Sequence, residues 1–168
     1  MADEIINKVA QSGLITINLS DYYPKEEKVV LDIADKLFQG LILREKEFRD
    51  YVAAENWERF SGKLVAVLCS ADAIIPTWAY MLIAIHLQPH AKFVFFGTPE
   101  QMDIAWMQGK ISQIDAQQFK DARVVIKGCS DFPVPVAAYV QLTSLLRPCV
   151  KSIMYGEPCS TVPLFKRK

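Results

Sequence analysis

Leu68-Cys69-Ser70-Ala71-Asp72, followed by Pro76 and Ala79-Tyr80, decides the fold, because the chain says it twice. The second copy is Gly128-Cys129-Ser130-Asp131, followed by Pro135 and Ala138-Tyr139. In both, an apolar run ends at Cys-Ser, an Asp follows, and an apolar segment of helical length begins near a Pro. Each copy reads as the carboxyl end of a buried strand leading into a helix. Shifting 64–99 onto 123–158 without a gap aligns Val65/Val124, Asp72/Asp131, Pro76/Pro135, Ala79/Ala138, Tyr80/Tyr139, Leu87/Leu146, Pro89/Pro148, Lys92/Lys151, Gly97/Gly156 and Pro99/Pro158. Chance would match roughly two or three positions, so a fixed-offset repeat is the better account. Cys69 and Cys129 fall one position out of this frame.

Around the repeat, Lys63 to Cys69 and Arg123 to Gly128 are strands, each followed by a helix (Thr77 to Leu87, Val136 to Leu146) and a second strand (Lys92 to Gly97, Ser152 to Gly156). The Thr77 to Leu87 helix is almost wholly apolar, as a buried helix is. Between the copies, Pro99 to Met107 and Ser112 to Phe119 read as two helices split at Gly109. Ahead of them, 3–11 reads as a short helix, Leu14 to Leu19 alternates like a strand, Lys28 to Ile33 is ambiguous but rich in β-branched residues, and Arg44 to Glu55 is an amphipathic helix. The expected fold class is therefore α/β. It is a single domain over 1–168, with a mainly parallel sheet covered by helices on both faces and built from two similar βαβ units, 64–99 and 123–158. Residues 1–62 form an N-terminal extension packing on the sheet, and the repeat occupies 63–100 and 122–160. A pseudo-twofold relation would set the first strands of the two units side by side at a topological switch point.

That arrangement directs attention to sulfur. Cys69 and Cys129 end the two central strands, and Cys159 follows the last strand, so three thiols are expected on one edge, on the order of 10 Å apart. Cys149 precedes its strand and belongs at the opposite edge, as do His86 and His90, which argues against a Cys/His zinc site or a Cys–His pair. Three thiols suit a soft metal such as zinc or an iron–sulfur species. A nucleophilic thiolate acidified by a helix N-terminus, or plain packing of small residues, are the other readings. Cys129, Cys69, Lys127, Asp72 and Asp131 are the candidate catalytic residues. Asp72 and Asp131 can cap helices or take a proton, and Lys127, set in an apolar strand, needs a counter-charge. Ser70, Ser130, Glu157, Ser160 and Thr161 are the candidate cofactor contacts at the same edge. Trp57, Trp78 and Trp106 read as core or interface aromatics.

Bulk composition narrows the classes. The 168 residues are 51% hydrophobic and 23% charged, with 19 basic and 19 acidic side chains. A neutral balance gives no electrostatic case for nucleic acid or an anionic membrane surface. No apolar run reaches the ~20 residues of a transmembrane helix, and the acidic start lacks a basic leader segment. A cytoplasmic location with reduced cysteines is the expectation.

Three stretches also resemble a bacterial family catalogued as domain of unknown function 2480: Cys69 through Tyr80, Val125 through Ser130, and Ser152 through Pro163. The likeness extends to Leu43-Arg44-Glu45-Lys46-Glu47-Phe48-Arg49 and covers nearly the whole chain. It implies a single-domain cytosolic protein with no assigned activity, so no catalytic residue is carried over. It also implies a setting among iron–sulfur assembly proteins as partners. Three functions stay open: a metal or iron–sulfur accessory protein, a thiolate enzyme acting on a small molecule, and a non-catalytic module that forms homo-oligomers.

Overall fold

The computed structural model describes residues 13–128 and 131–168. The helix read over 3–11 lies outside them, as do Cys129 and Ser130. The chain divides into two compact units: a first made of Met1–Pro24 with Asp103–Lys168, and a second made of Lys25–Met102. The class is α/β, with two mainly parallel sheets.

The second unit holds a parallel sheet in the order β2-β3-β4, from Lys28–Asp32, Leu64–Leu68 and Phe93–Phe96. Leu64 to Val67 are all buried, which explains why β3 reads as continuously apolar rather than alternating. Helix α1 (Glu45–Ala54) buries Phe48 and Val52 and leaves its acidic first turn, Glu45 and Glu47, in water near the positive end of the helix dipole. Helix α2 (Thr77–Leu87) crosses from β3 to β4 and buries Ala79, Ile83 and Leu87, a row at four-residue spacing. Those side chains form one core with Leu31, Ile33, Trp57, Phe60, Val65 and Val67. Full burial of each large apolar side chain contributes about 1.5–3 kcal/mol.

The first unit repeats this plan. Its sheet runs β1-β5-β6-β7, from Leu14–Asn18, Arg123–Lys127, Ser152–Glu157 and Ser160–Lys166, with only β7 antiparallel. Helix α4 (Val136–Leu146) buries Ala138, Leu142 and Leu146 against Ile17, Val124, Ile126 and Ile153. Details recur at the same 59-residue offset. Gly62 N donates to His90 O and Asp121 N to Cys149 O; Lys92 N donates to Lys63 O and Lys151 N to Ala122 O. Gly62 and Asp121 share positive φ (73° and 58°), as do Gly97 and Gly156 (139° and 116°). The duplication reaches further than the βαβ units, since each also has a short 3-10 turn ahead of its central strand, Trp57–Phe60 and Ala116–Phe119.

The expected strand order is corrected. β3 and β5 do not pair; each is an internal strand of its own sheet, between β2 and β4 and between β1 and β6. Lys28 to Asp32 registers with Leu64 to Leu68, and Leu14 to Asn18 with Arg123 to Lys127. The N-terminal segments thus supply an edge strand to each sheet. The strands that precede the two Cys-Ser pairs in sequence consequently belong to different sheets, and the argument from adjacent strands for closely placed thiols falls away. A second correction concerns 99–119. One helix, α3 (Pro99–Ser112), runs through Gly109, and the 3-10 turn Ala116–Phe119 follows. Glycine inside a helix costs only about 1 kcal/mol relative to alanine, too little to force a break.

Candidate functional site

In a parallel sheet, ligands favour the carboxyl ends of the strands, and each unit has such an edge. In the second unit it is organised by Asp32, the last residue of β2. Its Oδ1 accepts the backbone N–H of Ala34 and of Ser70, both at 3.0 Å. Burial pushes the Asp32 carboxyl up, but the Ser70 hydroxyl and these two N–H donors outweigh it, and the carboxyl ends below the usual range. Cys69 is half-buried, packs against the core, and its Sγ–H points to Ala71 O at 3.8 Å. Tyr80, on α2, meets Phe96 edge-to-face with ring centroids 4.8 Å apart. Burial raises the Tyr80 phenol, and the Cys69 thiol and Asp32 carboxylate raise it further.

The first unit carries the corresponding tyrosine. Tyr139, on α4, meets Tyr155 edge-to-face at 5.8 Å, and burial followed by Tyr155 raises its phenol. Its hydroxyl lies over Gly128, where an added Cβ would stand 2.0 Å from Tyr139 Oη. Beside this pair is a cavity of about 300 Å³ lined by Ile126, Val136, Tyr139, Thr143, Tyr155 and Leu164. Its lining is mostly apolar with a few hydroxyls, the common make-up of a binding pocket. At the ends of β5 and β6, Lys127 Nζ donates to Glu157 Oε2 at 3.0 Å and Oε1 at 3.3 Å, so the lysine finds the counter-charge its position requires.

The sequence candidates separate. Lys127 and Glu157 come together. Cys159 is exposed in the turn between β6 and β7, and Ser160 opens β7. Thr161 Oγ1 donates to Met154 Sδ at 3.7 Å. Cys69 belongs to the other unit, and Cys129 and Ser130 are outside the described residues. Ser70 donates its N–H to Asp32 instead of lining a helix N-terminus, which lies seven residues further on at Thr77. Asp72 and Asp131 are exposed, and neither caps a helix: Pro76 and Pro135 are the N-cap residues of α2 and α4, without a side-chain cap. The connectors are too long for an aspartate just after the strand to reach the first helical turn. Among the described residues, no three of His, Cys, Asp and Glu form a group able to hold a metal ion. His90 and Cys149 accept at the amino ends of β3 and β5, away from the strand ends that carry the other thiols. His86 stacks on Trp57 at 5.3 Å.

A family model matches residues 3–167, nearly the whole chain. The chain belongs to the family described as protein of unknown function (DUF2480). No curated protein and no solved structure matches it. Nothing chemical transfers from the DUF2480 match, so the site rests on geometry alone. No helix among its described residues is long and apolar enough to cross a membrane.

Sequence reasoning missed the most distinctive surface of this DUF2480 chain. Helix α2 reads as buried all round, yet Met81 is 62% and Ile85 66% exposed. In α4, Val136 is 76% and Val140 60% exposed. These positions correspond through the repeat, 77/136, 81/140 and 85/144, and form the outer row of each helix. The available signal was the charge content: neither eleven-residue helix contains an Asp, Glu, Lys or Arg.

Proposed function

We propose that the protein is a non-catalytic interaction module that assembles with further copies of itself through the uncharged outer faces of α2 and α4. One observation carries this reading: both helices lack any strongly charged residue on a face that stands in solvent. A helix apolar all round belongs in an interior, and large exposed apolar patches mark contact surfaces. In the first unit Tyr155, Val162 and Leu164 are also exposed, widening the patch around the apolar cavity. A second copy fits this chemistry, since an isologous contact sets the same patch against itself and needs no complementary charge. Stable pairs bury about 800 Å² on each partner, so several such side chains must take part. The test is solution mass by light scattering or analytical ultracentrifugation of the full chain. The expected result is a defined oligomer at micromolar concentration, shifted toward monomer by Val140→Lys or Met81→Lys. A wild-type chain that stays monomeric up to about 100 μM, a concentration far above usual interface Kd values, would refute it.

A second reading is favoured by the Lys127–Glu157 ion pair. Two residues beyond each partner lies a thiol, Cys129 after Lys127 and Cys159 after Glu157. The cation–carboxylate contact ties these two strand ends of one sheet together. We infer, as this second reading, that Cys129 and Cys159 contribute ligands to a soft metal ion or iron–sulfur species, completed by an assembly partner in the cytoplasm. It does not call on Cys69. Anaerobic purification with metal analysis tests it: bound zinc or iron should disappear in a Cys129→Ser, Cys159→Ser variant and persist in Cys69→Ser. A thiolate enzyme at Cys69 has less support, because that sulfur is half-buried, packs against the core and directs its S–H to Ala71 O.

A further inference from the structure

The opposite edge of the first unit's sheet carries a different chemistry. A cavity of about 490 Å³ is lined by Arg123, Lys151, Ser152, Met154, Pro163, Phe165 and Lys166. Strand register explains the gathering. Arg123 of β5 stands beside Ser152 of β6, which stands beside Lys166 of β7. Side chains at one level of adjacent strands share a face and lie about 4.8 Å apart. A β-bulge between β6 and β7 at Ile153/Met154 shifts the register just beyond this row. Bulges of this kind re-aim side chains and are common beside functional sites.

The duplicated unit provides an internal comparison. Lys92, the counterpart of Lys151, is paired with Glu26, and the neighbouring Lys63 with Glu27. Leu64, Phe93 and Phe95 stand where the first unit has Arg123, Ser152 and Met154. One scaffold thus carries an apolar row with neutralised lysines in one unit and a cationic, hydroxyl-bearing row in the other. Among the described residues neither Lys151 nor Lys166 has an ion pair. Among the described residues, no carboxylate lines the cavity. In a chain with equal numbers of acidic and basic groups, that concentration is local.

We propose that this concavity binds a small organic phosphate, with Arg123, Lys151 and Lys166 around the phosphate, the Ser152 hydroxyl donating to it, and Met154, Pro163 and Phe165 against the apolar body of the ligand. A phosphate monoester carries about −1.5 to −2 charge at neutral pH and three acceptor oxygens, which matches three cations and a hydroxyl better than one carboxylate would. The site is separate from the outer helix faces and from the carboxyl-edge Lys127–Glu157 pair, so it stands or falls independently of both.

The experiment titrates the full-length chain with phenyl phosphate and, in parallel, with inorganic phosphate, following backbone amide shifts. Saturable shifts at Ser152, Met154 and Lys166 are expected with phenyl phosphate at a Kd of about 1 mM or tighter, and weaker binding of inorganic phosphate. Lys151→Gln with Lys166→Gln should weaken phenyl phosphate binding at least about tenfold while leaving the melting curve in place. Absence of saturable shifts around the cavity overturns the proposal. Equal binding to the double variant, or shifts confined to another part of the molecule, also overturns it.

Discussion

Substituting Gly128 by alanine tests the packing on which the first unit's carboxyl edge is built. The added Cβ would lie 2.0 Å from Tyr139 Oη and 3.2 Å from Tyr139 Cζ, with Val134 Cγ2 at 3.6 Å. The first distance is far inside contact, so the half-buried tyrosine must swing away. That disturbs its edge-to-face contact with Tyr155 and the wall of the 300 Å³ cavity. Overpacking of this kind costs roughly 1–3 kcal/mol. Gly128 is not among the positive-φ glycines, so alanine also gains about 0.4–1 kcal/mol by restricting the unfolded chain. The net expectation is a loss of about 1–2 kcal/mol, seen as a drop in Tm of roughly 2–8 °C for a chain of this size. Tyr139→Phe removes the offending atom, and its hydroxyl makes no hydrogen bond among the described residues, so alone it should cost little. Combined with Gly128→Ala it should restore most of the loss, leaving only the 3.2 Å approach of the ring. Urea denaturation of the four-membered cycle reads the coupling directly. A neutral Gly128→Ala, or a loss that Tyr139→Phe fails to relieve, would refute the placement of Tyr139 over the strand end.

Three further outcomes are expected. Gly156→Ala should cost more than Gly128→Ala, roughly 2–4 kcal/mol by urea midpoint. Its φ of 116° is strained for any side chain, and the Cβ would meet the Ser160 backbone oxygen at 2.7 Å with no flexible group to yield. Asp32→Ala should cost about 1–3 kcal/mol by orphaning the Ala34 and Ser70 N–H groups, and Asp32→Asn much less because Oδ1 remains. The lowered Asp32 carboxyl also fixes a sign. Its contribution is complete above the unfolded value of about 3.9 and fades as pH falls through the lower folded value, so acid melts of wild type and Asp32→Ala should converge there. Lys127→Ala should cost no more than about 1 kcal/mol, diminishing in high salt, since both partners of the Glu157 pair are partly solvated.

The βαβ units were legible because their signals are local. Val-rich runs, prolines ahead of helices and glycines after strands mark each element wherever it sits. The partner of each central strand was not legible, because pairing is decided between segments far apart in the chain. Leu14 to Leu19 alternates as a strand, but nothing within it says that it lies beside Arg123 to Lys127 and not beside β3. That one ambiguity controlled the thiol argument, since neighbouring central strands would have joined Cys69 to Cys129. Lys127 shows the reverse case. A lysine inside an apolar strand announces a missing counter-charge, and Glu157 at the same edge was the available answer. The apolar rows of α2 and α4 could also have been read as surface, because periodicity alone does not say which row faces the sheet when every row is apolar.

The two units also separate what the scaffold requires from what it carries. Several identities between the copies have structural causes. Pro76 and Pro135 set the extended entry to a helix, Ala79 and Ala138 allow the helix to approach its sheet, Leu87 and Leu146 fill the core, and Gly97, just after β4, and Gly156, near the end of β6, take positive φ. None of these needs a shared ligand. The differences lie where chemistry would sit. By the 59-residue offset Cys69 corresponds to Gly128, not to Cys129, so the thiols are not equivalent parts of one symmetric site. Leu68 becomes Lys127 and Leu64 becomes Arg123, which places charge at both ends of β5 and at neither end of β3. Two copies serving identical purposes would share such positions. The polar chemistry therefore concentrates in the first unit, where a carboxyl-edge ion pair and an amino-edge cationic row are built on one strand. The second unit keeps the same frame with an apolar central strand and the Asp32 hub.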